Sequence, residues 1–304
     1  GIYAVLVDNA RLMMARTVVT GNVAANKGGG VSIISLESNA TGFSQYLLER
    51  NKIINNFSGG HSGLSIIDIA DDAQPLWGRS TNNVIAGNEY TRVHLEDVDF
   101  RSTNDTIADN VGAGFSVSGT ITSTIYFNNG ILWGNTMNLT TTEPLSQSLI
   151  VATYSDVEGG TLPGTGNLSQ NPRFVDAPGR DYHLSSNSTI DNRIPPDEAP
   201  AIDHDGVPRP VGDRSDMGAY EYRVSGVWVT GDGLLIGDPG DLVTHTVTIR
   251  NSGSAQDVFD LEASDNTWPA TLSTDEVILE ASESVDVYIW VEVPLGLSRW
   301  LTDS

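Results

Sequence analysis

The side chains that could do chemistry fall in separate groups along the chain. Gly60-His61 precedes Asp68 and the adjacent pair Asp71-Asp72, which offers carboxylates and an imidazole for acid–base work. Further on, Glu96, Asp97, Asp99 and Arg101 combine oxygen ligands with a base. Alternation along an extended strand puts Asp97, Asp99 and Arg101 on one face, where the carboxylates could take Ca²⁺. Asp203-His204-Asp205-Gly206 spaces oxygens at alternate positions before a glycine turn, with Asp216 close enough in sequence to join them. The full calcium-loop pattern fails there, because Arg214 occupies the twelfth position where a glutamate belongs.

Each group also has a plainer reading, which we prefer. Asp68, Asp71, Asp72 and His61 fit an acidic insertion loop at a corner. Glu96 to Arg101 fits a solvated outer face with an internal ion pair. Asp203, Asp205 and Asp216 fit carboxylates that accept backbone N–H bonds and pair with Arg209 or Arg214 in a cap. His94, His183 and His245 have no second histidine at ligand spacing. Gly28-Gly29-Gly30 lacks the following helix and lysine of a phosphate loop, so a coil corner is expected there. Trp77, Trp133, Trp228, Trp268, Trp290 and Trp300, with Tyr90 and Tyr126, could stack on sugars. Core packing accounts for most of them, and Trp268 and Trp290 are assigned to a sandwich core.

The elements that must position these groups are announced by a repeat. Thr17-Val18-Val19-Thr20-Gly21-Asn22, Asn51-Lys52-Ile53-Ile54-Asn55-Asn56, Asn83-Val84-Ile85-Ala86-Gly87-Asn88, Asp105-Thr106-Ile107-Ala108-Asp109-Asn110 and Gly130-Ile131-Leu132-Trp133-Gly134-Asn135 share one pattern. The third column is always aliphatic, as an inward strand position requires. The fifth is Gly, Asn or Asp, residues that tolerate a left-handed backbone. The sixth is always asparagine: Asn22, Asn56, Asn88, Asn110 and Asn135. Amides repeated at one turn can stack into a hydrogen-bonded ladder. A further strand follows each asparagine, and nothing in 1–160 keeps a helical period. The wider early spacings imply loop insertions within 31–50 and 68–82, which solenoids tolerate.

The asparagine-ended turns resemble those of right-handed parallel β-helix proteins of the pectate-lyase-like superfamily. Tyr154-Ser155-Asp156-Val157-Glu158-Gly159-Gly160 resembles the last coil of many bacterial members. Gly166-Asn167-Leu168-Ser169-Gln170-Asn171-Pro172-Arg173-Phe174-Val175-Asp176, Asp181-Tyr182-His183-Leu184, Ala201-Ile202-Asp203-His204-Asp205-Gly206-Val207-Pro208-Arg209-Pro210 and Asp216-Met217-Gly218-Ala219-Tyr220-Glu221 follow in order. That ordered set, over about 150–223, is similar to the choice-of-anchor Q domain, a surface-protein module. It departs at Ser188-Thr189-Ile190-Asp191-Asn192, and 192–200 reads as an insertion. After Tyr222, alternating runs such as Val243 to Ile249 and Val285 to Val291, with turns at Asp238-Pro239-Gly240-Asp241 and Asn251-Ser252-Gly253, indicate a sandwich. Their order resembles the NEW3-type immunoglobulin-like module. That family continues with another strand where Leu295 to Ser304 shows no equivalent, so an incomplete sandwich with an exposed edge is expected.

The expected fold is therefore all-β. A right-handed parallel β-helix solenoid with a terminal cap occupies 1–223, and a small, incomplete immunoglobulin-like β-sandwich occupies 224–304. The net charge of −23, from 39 acidic and 16 basic residues, argues against nucleic acid. The absence of cysteine excludes disulfides and thiolate metal sites. No apolar run reaches the roughly 20 residues of a membrane span. Gly1 stands in mid-pattern, so the chain is expected to be a piece of a longer exported protein whose signal and anchor lie outside it. No cofactor is required, and Ca²⁺ is the ion its carboxylates could hold. The expected function is a non-catalytic, extracellular or cell-surface module, monomeric, presenting loops to a polysaccharide or surface component. The resemblance implies one alternative: a polysaccharide lyase or glycoside hydrolase acting on acidic polysaccharide, with Asp71, Asp72 and His61 as acid and base, or Arg101 as the base of a calcium-dependent lyase.

Overall fold

A computed structural model describes residues 1–7, 9–25, 28–36, 44–69, 76–89, 91–119, 123–141, 148–160, 162–223, 226–253, 256–264, 267–280 and 283–295. The two groups Asp71-Asp72 and Trp300-Leu301 lie outside them, as does Tyr90. The chain divides into compact units at Gly1–Tyr222 and Arg223–Ser304.

The first unit is a parallel β-helix with three sheets of six strands each. Sheet I holds Ile2–Leu6, Val31–Ser35, His61–Asp68, Thr91–Glu96, Ala113–Ser118 and Met137–Thr141. Sheet II holds Arg11–Ala15, Gln45–Glu49, Leu76–Thr81, Val98–Thr103, Ser123–Asn128 and Ser148–Thr153. Sheet III holds Val18–Thr20, Lys52–Ile54, Val84–Ala86, Thr106–Ala108, Ile131–Trp133 and Asp156–Val157. The chain visits I, II and III in turn, so neighbours within a sheet are one coil apart. Among the described residues the only helical element is the 3₁₀ turn Pro196–Glu198.

Alternation sends one side of every strand into the tube. Ile33, Ile53, Ile66, Ile85, Leu95, Ile107 and Leu132 are buried there. Phe100, Phe115 and Phe127 step through it with ring centroids 6.0 and 5.5 Å apart, in the edge-to-face geometry that aromatic quadrupoles favour. Tyr46 stacks on Phe100 at 6.4 Å, and Gly78 makes room for it: a Cβ there would lie 2.5 Å from the Tyr46 ring.

Two corners are built by left-handed residues. Between sheets III and I these are Gly21, Asn55, Gly87, Asp109 and Gly134, the fifth column of the repeat, with φ between 51° and 69°. After each comes a ladder asparagine. Asn22, Asn56, Asn88 and Asn110 each donate Nδ2 to Oδ1 of the next asparagine at 2.9–3.1 Å. The same Oδ1 also accepts the preceding asparagine's backbone N–H. Between sheets II and III a second ladder runs through Asn51, Asn83 and Asp105. It occupies the first column of the repeat, so the amides line two corners rather than the single one expected.

The segment after Val157 corrects the expected terminal cap. Only its first part closes the solenoid end: Leu168 bridges Ser155 and Val157, and Leu162 packs on the tube core. Residues 173–222 instead lie along the outside of sheet III. Sheet III carries apolar side chains on its outer face as well, with Val84, Ala86, Ala108 and Ile131 beside Lys52 and Thr106, and such apolar surface must be covered. Tyr182, Leu184, Ile190, Ile194, Met217 and Tyr220 cover it. The wrap reaches back as far as Arg50, whose Nε donates to His204 O at 2.9 Å.

In the second unit, Val227–Gly231, Leu242–Asn251, Ser284–Glu292 and Ala270–Leu272 form an antiparallel sheet in that spatial order. Asp257–Asp260 and Glu276–Leu279 pair separately. Ile249, Leu279 and Val287 are the centre of a small core, with Val247, Phe259, Leu272 and Val285 against them. Trp290 does not join this core. It alternates out of phase with Val287 and faces outward, which corrects its assignment from sequence.

Candidate functional site

The outer face of sheet II carries an open groove of about 420 Å³, lined by Arg79, Thr81, Arg101, Thr103, Tyr126, Asn128 and Pro200. Its geometry follows from the register. Leu47, Arg79, Arg101 and Tyr126 are successive Cα partners in neighbouring strands. Glu49, Thr81, Thr103 and Asn128 form the next row. Leu76, Phe100 and Ser102 point inward between them, so these rows point out. The two guanidiniums start from backbones about 4.8 Å apart. Arg101 lies over the Tyr126 ring, 4.7 Å from its centroid. Neither arginine makes an ion pair among the described residues, although the chain carries 39 carboxylate side chains. Like charges side by side on a sheet repel, and an anion spanning both relieves the repulsion. Pro200, from the wrap, forms one wall.

Most residues singled out in the sequence do not converge. His61 opens and Asp68 closes one strand, so seven residues place them about 23 Å apart. His61 instead stacks on His94, ring centroids 3.7 Å apart. Asp71 and Asp72 lie outside the described residues. The stretch from Asp97 to Arg101 does not stay extended. Asp97 is a left-handed corner residue with φ 53°, which takes it out of line with Asp99 and Arg101. Asp99 Oδ1 accepts the Thr124 backbone N–H at 2.8 Å.

Asp203, Asp205 and Asp216 lie in the wrap, with their oxygens engaged by protein donors. Asp203 accepts N–H bonds from Val207 and Glu221, and Asp216 from Asn192 and Tyr222. Burial raises Asp203, and burial followed by the Glu221 charge raises Asp216 to about 7. Burial also pulls upward on Asp205, but the hydrogen bond and charge of His183 outweigh it and hold the carboxyl well below its usual range. His183 sits between Asp181 and Asp205, at 2.5 and 3.0 Å. Burial opposes its charge, yet the two carboxylates raise it to about 9. With both ring nitrogens engaged, it is a fixed cation and not a proton shuttle. No cluster of three or more metal-ligating side chains stands among the described residues.

No family model, curated protein or solved structure matches this chain. Of the lining residues, the sequence singles out Arg101 and Tyr126, for separate reasons, and does not mark Arg79, Thr81, Thr103, Asn128 or Pro200. A signal for Arg79 existed: it precedes Arg101 by 22 residues, the separation of the ladder pair Asn88 and Asn110.

Inside the tube, Asp105 replaces an asparagine of the second ladder. It is wholly buried and raised to about 6, burial outweighing hydrogen bonds from Ser102 and Asn83. A raised folded-state pKa means that the native state holds a proton the unfolded chain has released. Stability from this group is then present below about pH 4 and lost as pH rises through 6. The penalty at pH 8 is about 3 kcal/mol at most. Asp105→Asn should raise Tm by several degrees at pH 8 and leave it unchanged near pH 4. Calorimetry across that range would show an equal change at both pH values if the charge were irrelevant.

Proposed function

We propose that the chain is a non-catalytic, exported or cell-surface module that binds an acidic polysaccharide in the sheet II groove. The observation that carries this reading is the uncompensated pair Arg79 and Arg101 on an otherwise acidic protein. A guanidinium presents a planar fork that matches a carboxylate or sulfate. Tyr126 and Trp77 offer apolar ring faces nearby, and the threonines and Asn128 supply hydroxyl and amide partners for a sugar rim. Among the described residues no carboxylate lines the groove, and Glu49 and Asp99 flank it on the same face of sheet II. The ordered motifs from Tyr154 to Glu221 support placing the chain with pectate-lyase-like β-helices of choice-of-anchor Q type. Those after Tyr222 support a NEW3-type module.

The long-range field of −23 charges opposes a polyanion, while the local pair attracts it. Salt screens the distant repulsion more than the close contacts. Affinity for polygalacturonate should accordingly change little between low and physiological ionic strength, unlike that of a basic protein. Hydrogen bonds to charged groups contribute about 1.5–3 kcal/mol each, so Arg79→Ala or Arg101→Ala should weaken binding roughly tenfold or more. Arg101→Lys should recover only part of the loss, because a point charge cannot bind in two-pronged fashion. Affinity electrophoresis in gels of polygalacturonate and alginate measures this, and full retention of the double alanine variant would refute the site. Release of unsaturated products that ceases with Arg101→Ala would instead favour the lyase.

A further inference from the structure

We propose that the outer face of the four-stranded sheet in the second unit is a separate binding surface for a neutral, extended β-linked polysaccharide. This inference stands apart from the sheet II groove. Strict alternation fixes which side chains point outward. Val247, Ile249, Val285, Val287 and Leu272 face the core, so Thr244, Thr246, Tyr288, Trp290 and Thr271 face away. Tyr288 is paired with Thr246, and Trp290 lies between Thr244 and Thr271 on its two neighbours. Tyr288 and Trp290 are two residues apart on a central strand, about 7 Å. At the far edge of the same face stands Trp228.

The cluster around Ile249, Leu279 and Val287 does not use these rings, and Tyr288 and Trp228 keep 45% and 53% of their surface in solvent while Trp290 is half-buried. Aromatic rings grouped on one outward sheet face form the kind of apolar patch that marks an interaction site. The surroundings say what kind. A pyranose has an apolar C–H face and a hydroxyl rim, and the rings here are bordered by threonine hydroxyls. The charges on the face are Arg250, Asp286 and Glu292, which nearly cancel, and Asp286 already accepts a hydrogen bond from Thr248 Oγ1 at 2.7 Å. A polyanion would meet the repulsion of the whole chain without a guanidinium pair to offset it. A row of outward side chains on a β-sheet also suits an extended chain better than a branched or coiled one.

Affinity electrophoresis of the full chain in gels containing hydroxyethyl cellulose or xylan tests the idea, with sedimentation of the same variants alongside. Retention by at least one of the two glycans is expected, with Kd rising tenfold or more in Trp290→Ala and in Tyr288→Ala. Trp290→Phe should keep most of the affinity and guards against loss through misfolding. Arg79→Ala/Arg101→Ala should be retained like the unaltered chain, which separates this face from the groove. Absence of retention on both glycans overturns the proposal, as does equal retention of the ring variants. So does a self-association abolished by Trp290→Ala, which would make the face a contact between two copies.

Discussion

Asn88→Ala should cost about 3–5 kcal/mol and break the cooperativity of the solenoid. Asn88 is fully buried at the middle of the first ladder. Its Oδ1 accepts both the backbone N–H and the Nδ2 of Asn56, each at 3.0 Å. Its Nδ2 donates to Ile53 O and to Asn110 Oδ1. Truncation strands two donors and one acceptor in a place that water cannot reach. Each orphan costs about 1–3 kcal/mol, whereas an intact bond contributes about 1. The sum is a large share of the 5–15 kcal/mol that holds a typical domain folded. The contrast within the ladder makes the claim specific. Asn22 ends the row in partial contact with solvent, and its loss should cost about 1 kcal/mol. Coils contact only their neighbours, so hydrogen exchange should quicken first in the strands flanking residue 88, Lys52–Ile54 and Thr106–Ala108. Equal destabilisation by Asn22→Ala and Asn88→Ala would sink the ladder account.

That ladder was readable because every coil must repeat the same backbone turn, and a turn with positive φ admits few residue types. The sixth column carried the coil spacing, and the aliphatic third column carried the tube interior. The first column, with Asn51, Asn83 and Asp105, held the second ladder in equally plain view. Its ends, Thr17 and Gly130, hid it, since neither carries an amide. Register explains both what was within reach and what was lost. Arg79 and Arg101 share the 22-residue spacing of Asn88 and Asn110, so parallel pairing alone brings them together. Trp290 was misplaced because alternation names two faces without saying which is inner, and one residue of shift exchanges them. The wrap had no period to read. Asn104 bonds Gly218 O across 114 residues, and nothing local at either end anticipates the other. The apolar residues on both sides of Val84–Ala86 and Ile131–Trp133 were the available clue, since a solenoid sheet open to solvent has no use for a second apolar face.

Arg209→Met should release the wrap from sheet III. Arg209 is buried, with Nη1 on Glu221 Oε1 at 2.7 Å and on Asp216 O at 3.0 Å. Its Nη2 reaches Gly218 O and Asn82 Oδ1. The guanidinium is thus the cation for Asp203, Asp216 and Glu221 together, and it ties the wrap to the corner between sheets II and III. Removing one partner of a buried pair costs about 3–5 kcal/mol, because the other charge stays behind. Here three carboxylates stay behind. Val84, Ala86, Ala108 and Ile131 should become accessible, which dye binding and proteolysis within 173–222 would report. Asp216 already titrates near 7, raised first by burial. Loss of the cation raises these carboxylates further, and protonation then removes the stranded charge. The destabilisation must accordingly be largest at pH 8 and shrink as pH falls through about 7. Arg209→Met combined with Glu221→Gln should recover part of the loss at pH 8, and additive costs in that double variant would count against the network. The groove reports the same event from a distance. Pro200 reaches it from the wrap, so detachment should weaken polygalacturonate binding with Arg79 and Arg101 untouched. A loss of affinity that tracks the fraction of detached wrap from pH 6 to 8 would show that the wrap positions the site, while unchanged affinity in a detached variant would assign binding to sheet II alone.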